Sequence, residues 1–314
     1  MHWDEQRLGR WLKLRDIHVL LTVAKCGSMG KAAEELSVSQ PAISKVISDL
    51  EYALGVPLLD RNPRGVEPTI YARAILDRGV AIFDELKQAV KHVEFLANPT
   101  AGELRIGSTI AIAAGFIPTA IDRLSRRYPQ IVFHLSAGEA STTYRALDER
   151  TVDLVVSPIF GPIDEQIQGE VLYSEPLVVV AGARSPWARR RRIELGALGN
   201  ESWTLPPEKS LYGSVVVEAF RAAGLDLPRA TVFTSVTPVR NALVATGRYL
   251  SIVQGSVARF SPGNPALKVL PIELPTTHRP IAVLTLKNRT LSPIAQLFIK
   301  SAHEVATALA RRRF

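Results

Sequence analysis

Residues Ser28 to Leu54, SMGKAAEELSVSQPAISKVISDLEYAL, confine this chain more tightly than any other stretch. The pattern predicts a short helix, a break and a second helix. Ala32, Ala33 and Leu36 give the first helix its buried side, and the alanines let another helix approach closely. Ser39 is a natural N-cap for the second helix. Pro41 falls in its first turn, where a missing N–H costs nothing. At a helical period, Ile43, Val46, Ile47, Leu50 and Leu54 share one arc, and Ser44, Lys45 and Ser48 share another that does not overlap it. The polar arc, with Gln40, carries short side chains, one cation and one amide, which suits close approach to base edges in a groove of DNA. The plainer alternative is a solvated helix face, but such faces usually carry long Glu and Lys side chains.

The flanking residues extend the pattern. Leu14, Ile17, Leu21 and Ala24 recur at helical spacing ahead of a break at Gly27-Ser28. Val56–Leu59 and Val66 predict two short strands. Arg61-Asn62-Pro63-Arg64-Gly65 between them is turn chemistry with two arginines at its tip. A basic hairpin beside a helix pair is a wing placed to touch phosphate or the minor groove. Taken alone, it is a solvated loop. From Thr69 to Ala97, the residues Ala72, Ile75, Gly79, Ile82, Leu86, Ala89, Val93 and Leu96 are spaced alternately by 3 and 4. That is a heptad seam and predicts a long helix pairing with a second copy. The alternative is an amphipathic helix packed on its own domain. Gly79 marks either a close contact or a weak point.

Asn98-Pro99-Thr100-Ala101-Gly102 ends that helix and reads as a hinge. Beyond it, strands at Leu104–Ser108, Ile131–Ser136 and Leu154–Ser157 alternate with helices. The alternation resumes with strands at Trp203–Pro206, Thr231–Ser235 and Tyr249–Gln254. Two α/β halves joined by crossovers near Phe160–Asp164 and Pro262–Lys268 predict two lobes with a cleft between them. Pro293–Arg311 is a last helix returning to the first lobe.

Composition narrows the classes. The net charge is +8, yet residues 1–98 carry 13 Lys+Arg against 13 Asp+Glu, while residues 99–314 carry 25 against 17. Phosphate affinity in the N-terminal part therefore depends on a few placed cations. One cysteine, Cys26, excludes a disulfide scaffold and a cysteine-rich zinc site, and fits a reducing cytoplasm. It reads as a buried or half-buried thiol. No apolar run is long enough to span a membrane, and residues 1–11 lack the apolar core of a signal peptide.

The stretch AAEELSVSQPAISKVISDLEYALGVPLLDR closely resembles the signature of LysR-type transcriptional regulators, and the likeness extends over nearly the whole chain from about Leu12. The segments PTIYARA and WTLPPEKS are similar to a branch associated with sugar-binding-protein and catabolic operons. The family usually has an aromatic and a hydroxyl residue at Met29 and Gly30, and Gly at Ala72. The resemblance implies an α/β multidomain protein. A winged helix-turn-helix would span 12–68, a linker and dimerisation helix 69–97 and a hinge 98–103. A two-lobed domain resembling periplasmic binding proteins would span 104–314, with lobe one at 104–162 and 265–314 and lobe two at 163–264. It also implies a dimer or tetramer on an interrupted inverted repeat of promoter DNA, acting on RNA polymerase under control of a small-molecule effector.

Candidate DNA contacts are Ser39, Gln40, Pro41, Ala42, Ser44 and Lys45, with Arg61, Arg64, Thr69 and Lys31 for the backbone. Gln can bond adenine, Lys can donate to guanine, and Pro and Ala can meet a thymine methyl. Candidate effector contacts are Ser108, Thr109, Gly138, Ser141, Thr142, Pro206, Ser235 and Thr237, which open helices at the cleft. Free N–H groups there bind carboxylates and phosphates, although any one hydroxyl is as readily an ordinary cap. A small organic acid, sugar or sugar acid fits. Arg189–Arg192 with Arg184, and the tail Arg311–Arg313, read as solvated loops, with an acidic partner or bent DNA as the other reading. His134, in a strand, reads as a core histidine. No cofactor or metal is expected, because nucleophile-elbow, phosphate-loop, dinucleotide and zinc-helix motifs are absent. The competing readings are a two-lobed small-molecule-binding protein or enzyme carrying a vestigial DNA module, and an exported solute-binding protein. The latter leaves residues 12–67 unexplained.

Overall fold

The computed structural model describes residues 12–62, 65–259 and 267–311, and the chain divides into two compact units, 1–90 and 91–314. The first unit holds α1 (Leu14–Cys26), α2 (Met29–Glu35), α3 (Gln40–Leu54), the hairpin β1 (Leu59–Asn62) and β2 (Gly65–Pro68), and most of α4 (Ile70–Ala97). Leu20, Val23, Ala32, Ala33, Ile43, Ile47 and Leu58 form one buried core. Ser39 occupies the N-cap position of α3, but its hydroxyl makes no capping bond. The first strand lies three residues later than the hydrophobic run Val56–Leu59 suggests, because Leu58 is consumed by the core. The Glu51 carboxylate accepts from the Leu58 and Leu59 amides at 2.7 and 3.2 Å, tying α3 to the start of the hairpin.

Two glycines let the hairpin seat. Gly27 ends α1 at φ +63°, and its carbonyl accepts from the Val66 amide at 3.0 Å. Gly65 stands at φ +139°, where a Cβ would lie 2.3 Å from the Gly27 oxygen.

The heptad seam of α4 divides in two. Ala72 is buried in this unit's core, Ile75 packs against it, and a Cβ on Gly79 would lie 2.8 Å from Ile17 and 3.4 Å from Leu21. These positions therefore pack on their own chain, not on a partner. Ile82, Leu86 and Ala89 are exposed, and Val93 and Leu96 are 66% and 70% exposed.

The second unit contains two five-stranded mixed sheets. Lobe one orders its strands β4 (Gln130–Gly138), β3 (Ala101–Thr109), β5 (Leu154–Pro158), β12 (Arg279–Leu286) and β6 (Ile167–Glu175). Lobe two orders β11 (Leu267–Val269), β7 (Leu177–Gly182), β10 (Leu250–Gln254), β8 (Trp203–Leu205) and β9 (Ala230–Phe233). Lobe one also carries α5 (Ile110–Ala114), α6 (Phe116–Arg127), α7 (Ala140–Asp148) and α11 (Pro293–Arg311). Lobe two carries α8 (Leu211–Ala222), α9 (Thr237–Ala245) and α10 (Gly255–Arg259). Phe298, Ala302 and Val305 of α11 lie in the core of lobe one, as a returning helix requires.

The crossovers differ from those expected. The chain passes between sheets at Pro176, and returns between β11 and β12 rather than near 262–268. Gly161-Pro162 is turn chemistry, but it only precedes β6, an edge strand whose sequence IQGEVLYSE lacks clean alternation. The expected hinge also shortens: Ala101–Glu103 already belong to β3, paired with Gln130–Val132. Lys91 of α4 bonds the buried Asp153 carboxylate at 2.9 Å, and Arg289 reaches the same carboxylate at 3.2 Å. The end of α4 is thereby fastened to lobe one.

Replacing Gly65 with Ala meets both a disfavoured φ and a backbone oxygen, so the midpoint of thermal unfolding should fall by an amount equivalent to about 1–3 kcal/mol or more. Gly27→Ala meets only the φ penalty and should cost about 1–2 kcal/mol.

Candidate functional site

On α3 the wheel arcs appear as drawn from sequence. Ile43, Ile47 and Leu50 are buried, Gln40, Pro41, Ala42, Lys45 and Ser48 are exposed, and Ser44 is half-buried. Ser39, Lys31 and Arg61 are exposed as well, while Arg64 lies outside the described residues. Tyr52, 83% exposed, falls on the same arc as Lys45 and Ser48. Its phenol places a hydroxyl donor beside them, and an aromatic in an otherwise polar arc was the signal for it. Thr69 is a correction. It is buried, its hydroxyl donates to the Pro57 carbonyl at 2.8 Å and accepts from the Ala72 amide at 3.2 Å. It caps α4, so no hydroxyl is left for phosphate.

Between the two lobes of the second unit lies a cleft of about 300 Å³. Thr109, Gly138, Ser141, Pro206, Ser235 and Thr237 line it, as expected from sequence. Ser108 and Thr142 do not. Ser108 is fully buried in the sheet, donating to the Val156 carbonyl at 2.9 Å, because its side chain points to the face opposite Thr109. Thr142 is exposed outside the cleft.

The chemistry of the wall comes from residues the sequence reading passed over. Arg240, on α9, is 4% exposed. Its Nη1 donates to the Ile252 carbonyl and its Nη2 to Thr237 Oγ1, both at 3.2 Å, while Nε has no partner. The guanidinium lies 5.4 Å from the Tyr212 ring centroid. Among the described residues no carboxylate pairs with it. Burial lowers the Arg240 pKa, and burial pushes the Tyr212 hydroxyl well above the usual phenol range. Gln254 is 7% exposed, and its Oε1 and Thr109 Oγ1 likewise lack hydrogen bonds. A buried cation without a counter-charge, set among unpaired polar atoms, is costly unless a ligand completes it. A signal was present: Arg240 precedes the core residue Val244 by four positions, on the buried side of α9.

Other expectations resolve plainly. Ser210, not foreseen, caps α8 by accepting from the Gly213 amide at 3.0 Å. His134 is half-exposed, 3.4 Å from Glu103, not a core residue, because β4 is an edge strand. Cys26 is partly buried and bonds Glu35 at 3.2 Å; that bond raises the thiol pKa. Among the described residues no cluster of His, Cys, Asp and Glu could hold a metal ion, and no helix is long and apolar enough to cross a membrane.

Residues 14–73 match the bacterial regulatory helix-turn-helix protein family model of the lysR family, and residues 97–307 match the LysR substrate binding domain. The chain belongs to the LysR family. It is a LysR-type DNA-binding transcriptional regulator with a C-terminal effector-binding domain, in a family of regulators rather than enzymes. It is 27% identical over 304 residues to the HTH-type transcriptional regulator GbpR of Azospirillum brasilense, covering 96% of this chain and 89% of that one. It is 26% identical to the transcriptional dual regulator GltC of Bacillus subtilis, covering 91% and 95%. Among solved structures, a full-length OxyR variant from Pseudomonas aeruginosa matches with a TM-score of 0.67 at 23% identity, covering 93% and 94%. Full-length CbnR complexed with its target DNA matches with a TM-score of 0.56 at 24% identity, covering 94% and 100%. This LysR-type chain thus shares their fold.

Removing the Thr69 hydroxyl strips the cap from α4, so Thr69→Ala should destabilise the first unit by about 1 kcal/mol. Denaturant titration followed by circular dichroism reads the loss, and DNA affinity at low temperature should stay at the parent value.

Proposed function

We propose that this LysR-type regulator reads an interrupted inverted repeat of promoter DNA with Ser39, Gln40, Pro41, Ala42, Ser44 and Lys45, assisted by Lys31 and the wing arginines. It works in the cytoplasm as a homodimer joined through the exposed stripe of α4, Ile82 to Leu96, with two dimers forming a tetramer. Its effector is a small organic acid or sugar acid held in the cleft. The observation that carries this reading is Arg240, a buried guanidinium with no carboxylate partner in the wall of a cavity of metabolite size. An anionic ligand supplies the missing charge and bridges lobe one to lobe two. Because it contacts both, it binds one lobe arrangement better than another. That difference is what shifts the population of regulator states and so alters access for RNA polymerase.

A thermal-shift screen against sugar acids, small organic acids and their neutral amides tests the cleft. An acid at a hundredfold its dissociation constant should add about 2.7 kcal/mol to stability. Arg240→Met should abolish that shift, and the neutral amides should give none. Equal stabilisation by acid and amide would remove Arg240 from recognition.

For the reading face, Gln40→Ala with Lys45→Ala should eliminate the protected footprint at the promoter, each lost base contact being worth about 1–3 kcal/mol. The assembly measured by light scattering should not change. A surviving footprint would place base readout on other residues.

A further inference from the structure

The +8 charge of the chain has a precise location. Lobe two, taken as residues 177–269, carries 12 Lys+Arg against 5 Asp+Glu. That accounts for nearly all of the excess, whereas the N-terminal part that reads DNA is neutral. Five of the lobe-two cations lie in one short segment, Arg184 and Arg189–Arg192, and all five are exposed. Arg248, also exposed, adjoins them, since a Cβ on the neighbouring Gly247 would lie 3.2 Å from the Arg184 Cβ. Among the described residues none of these six guanidinium groups has a carboxylate partner.

The segment is held in place. The buried Ser185 hydroxyl caps the 3-10 turn Pro186–Arg189 by accepting from the Trp187 amide at 3.3 Å, and the Arg190 amide donates to the Trp187 carbonyl at 3.1 Å. Trp187 and Ile193 both pack against the core of lobe two, and Leu195 is buried in it. Anchors on either side leave only Ala188 and four consecutive arginines between them. The result is a fixed cationic ridge. Neighbouring exposed guanidinium groups repel one another, a cost that salt screens in part and a bound polyanion relieves.

We infer that this arginine ridge of lobe two is a second, sequence-independent DNA contact, made to phosphates outside the sites read by α3. The complementary partner is the phosphate backbone. Guanidinium groups bind phosphate in a fork, and a chain whose reading unit has no net charge gains its non-specific affinity from cations placed elsewhere. Phosphate contacts position a protein on the duplex without reading its sequence, so the ridge contributes affinity rather than sequence choice.

The test uses the full chain, a fluorescent random-sequence duplex of about 60 base pairs, and NaCl between about 50 and 200 mM. Three proteins are compared: the parent, Arg189→Gln with Arg191→Gln, and Arg221→Gln with Arg229→Gln. The last pair removes the same charge from exposed positions of lobe two off the ridge. Each lost phosphate contact should flatten the slope of log affinity against log salt by about 0.9, so the ridge pair should lose close to 2 per subunit. The control pair should keep the parent slope, and Arg189→Lys with Arg191→Lys should restore most of it. An unchanged slope in the ridge pair overturns the inference. Equal losses in both pairs also overturn it, by assigning the effect to bulk charge. Parent-like DNA binding with loss of RNA polymerase capture would reassign the ridge to an acidic protein surface. Matching thermal midpoints establish that all variants are folded.

Discussion

Pro176 separates two strands that belong to different sheets, and the clamp around it holds the effector half together. The Pro176 carbonyl accepts from the Gly255 amide at 3.0 Å. One residue earlier, the buried Glu175 carboxylate accepts from the Ser256 amide at 2.7 Å and the Ser256 hydroxyl at 3.0 Å. One residue later, the Leu177 amide donates to Thr277 Oγ1 at 3.3 Å. Thr277 lies on the returning crossing, so the two passages between lobes are cross-linked by hydrogen bonds. Every parallel strand of each lobe then delivers its following loop to one crevice, the usual place for a ligand in an α/β sheet. Thr109, Gly138, Pro206 and Ser235 reach the cleft by that route.

The cleft is built at an energetic cost. A guanidinium buried to the extent of Arg240 loses much of its hydration, and one carbonyl, one hydroxyl and one aromatic face replace it only in part. Proteins keep such groups where a ligand or a switch uses them. The Tyr212 ring and the bonds to Ile252 and Thr237 hold the guanidinium against the wall, so its orientation is set before a ligand arrives. That limits the entropy lost on binding.

Legibility from sequence followed the range of the interactions involved. The helices of the first unit were readable because their buried faces repeat along one contiguous segment, and Gly27 and Pro41 punctuate them locally. The hairpin was displaced because Leu58, read as strand, is drawn into the helical core. The crossovers were misplaced because β6 and β12 pair across more than a hundred residues, and an edge strand need not alternate. Among cleft residues, small hydroxyls at predicted helix starts could be found one by one. Arg240 could not, since its importance lies in the absence of a partner that only the folded chain reveals. Ser108 failed for a simpler reason: along a strand, adjacent side chains point to opposite faces.

The division of α4 has a consequence of its own. Its first half is wedged against α1 through Gly79, and its last turns are fastened through Lys91 to Asp153. One turn after Gly79, the Phe83 ring meets the His18 ring of α1 at 5.4 Å between centroids. Gly79 and Phe83 are four residues apart and so share the face of α4 turned to α1. A residue inserted between them would rotate the following turn by roughly 100° about the helix axis and carry Phe83 away from His18. The outward aim of Ile82, Leu86 and Ala89 is thus set by what α4 does inside its own helical core, before any second copy meets them.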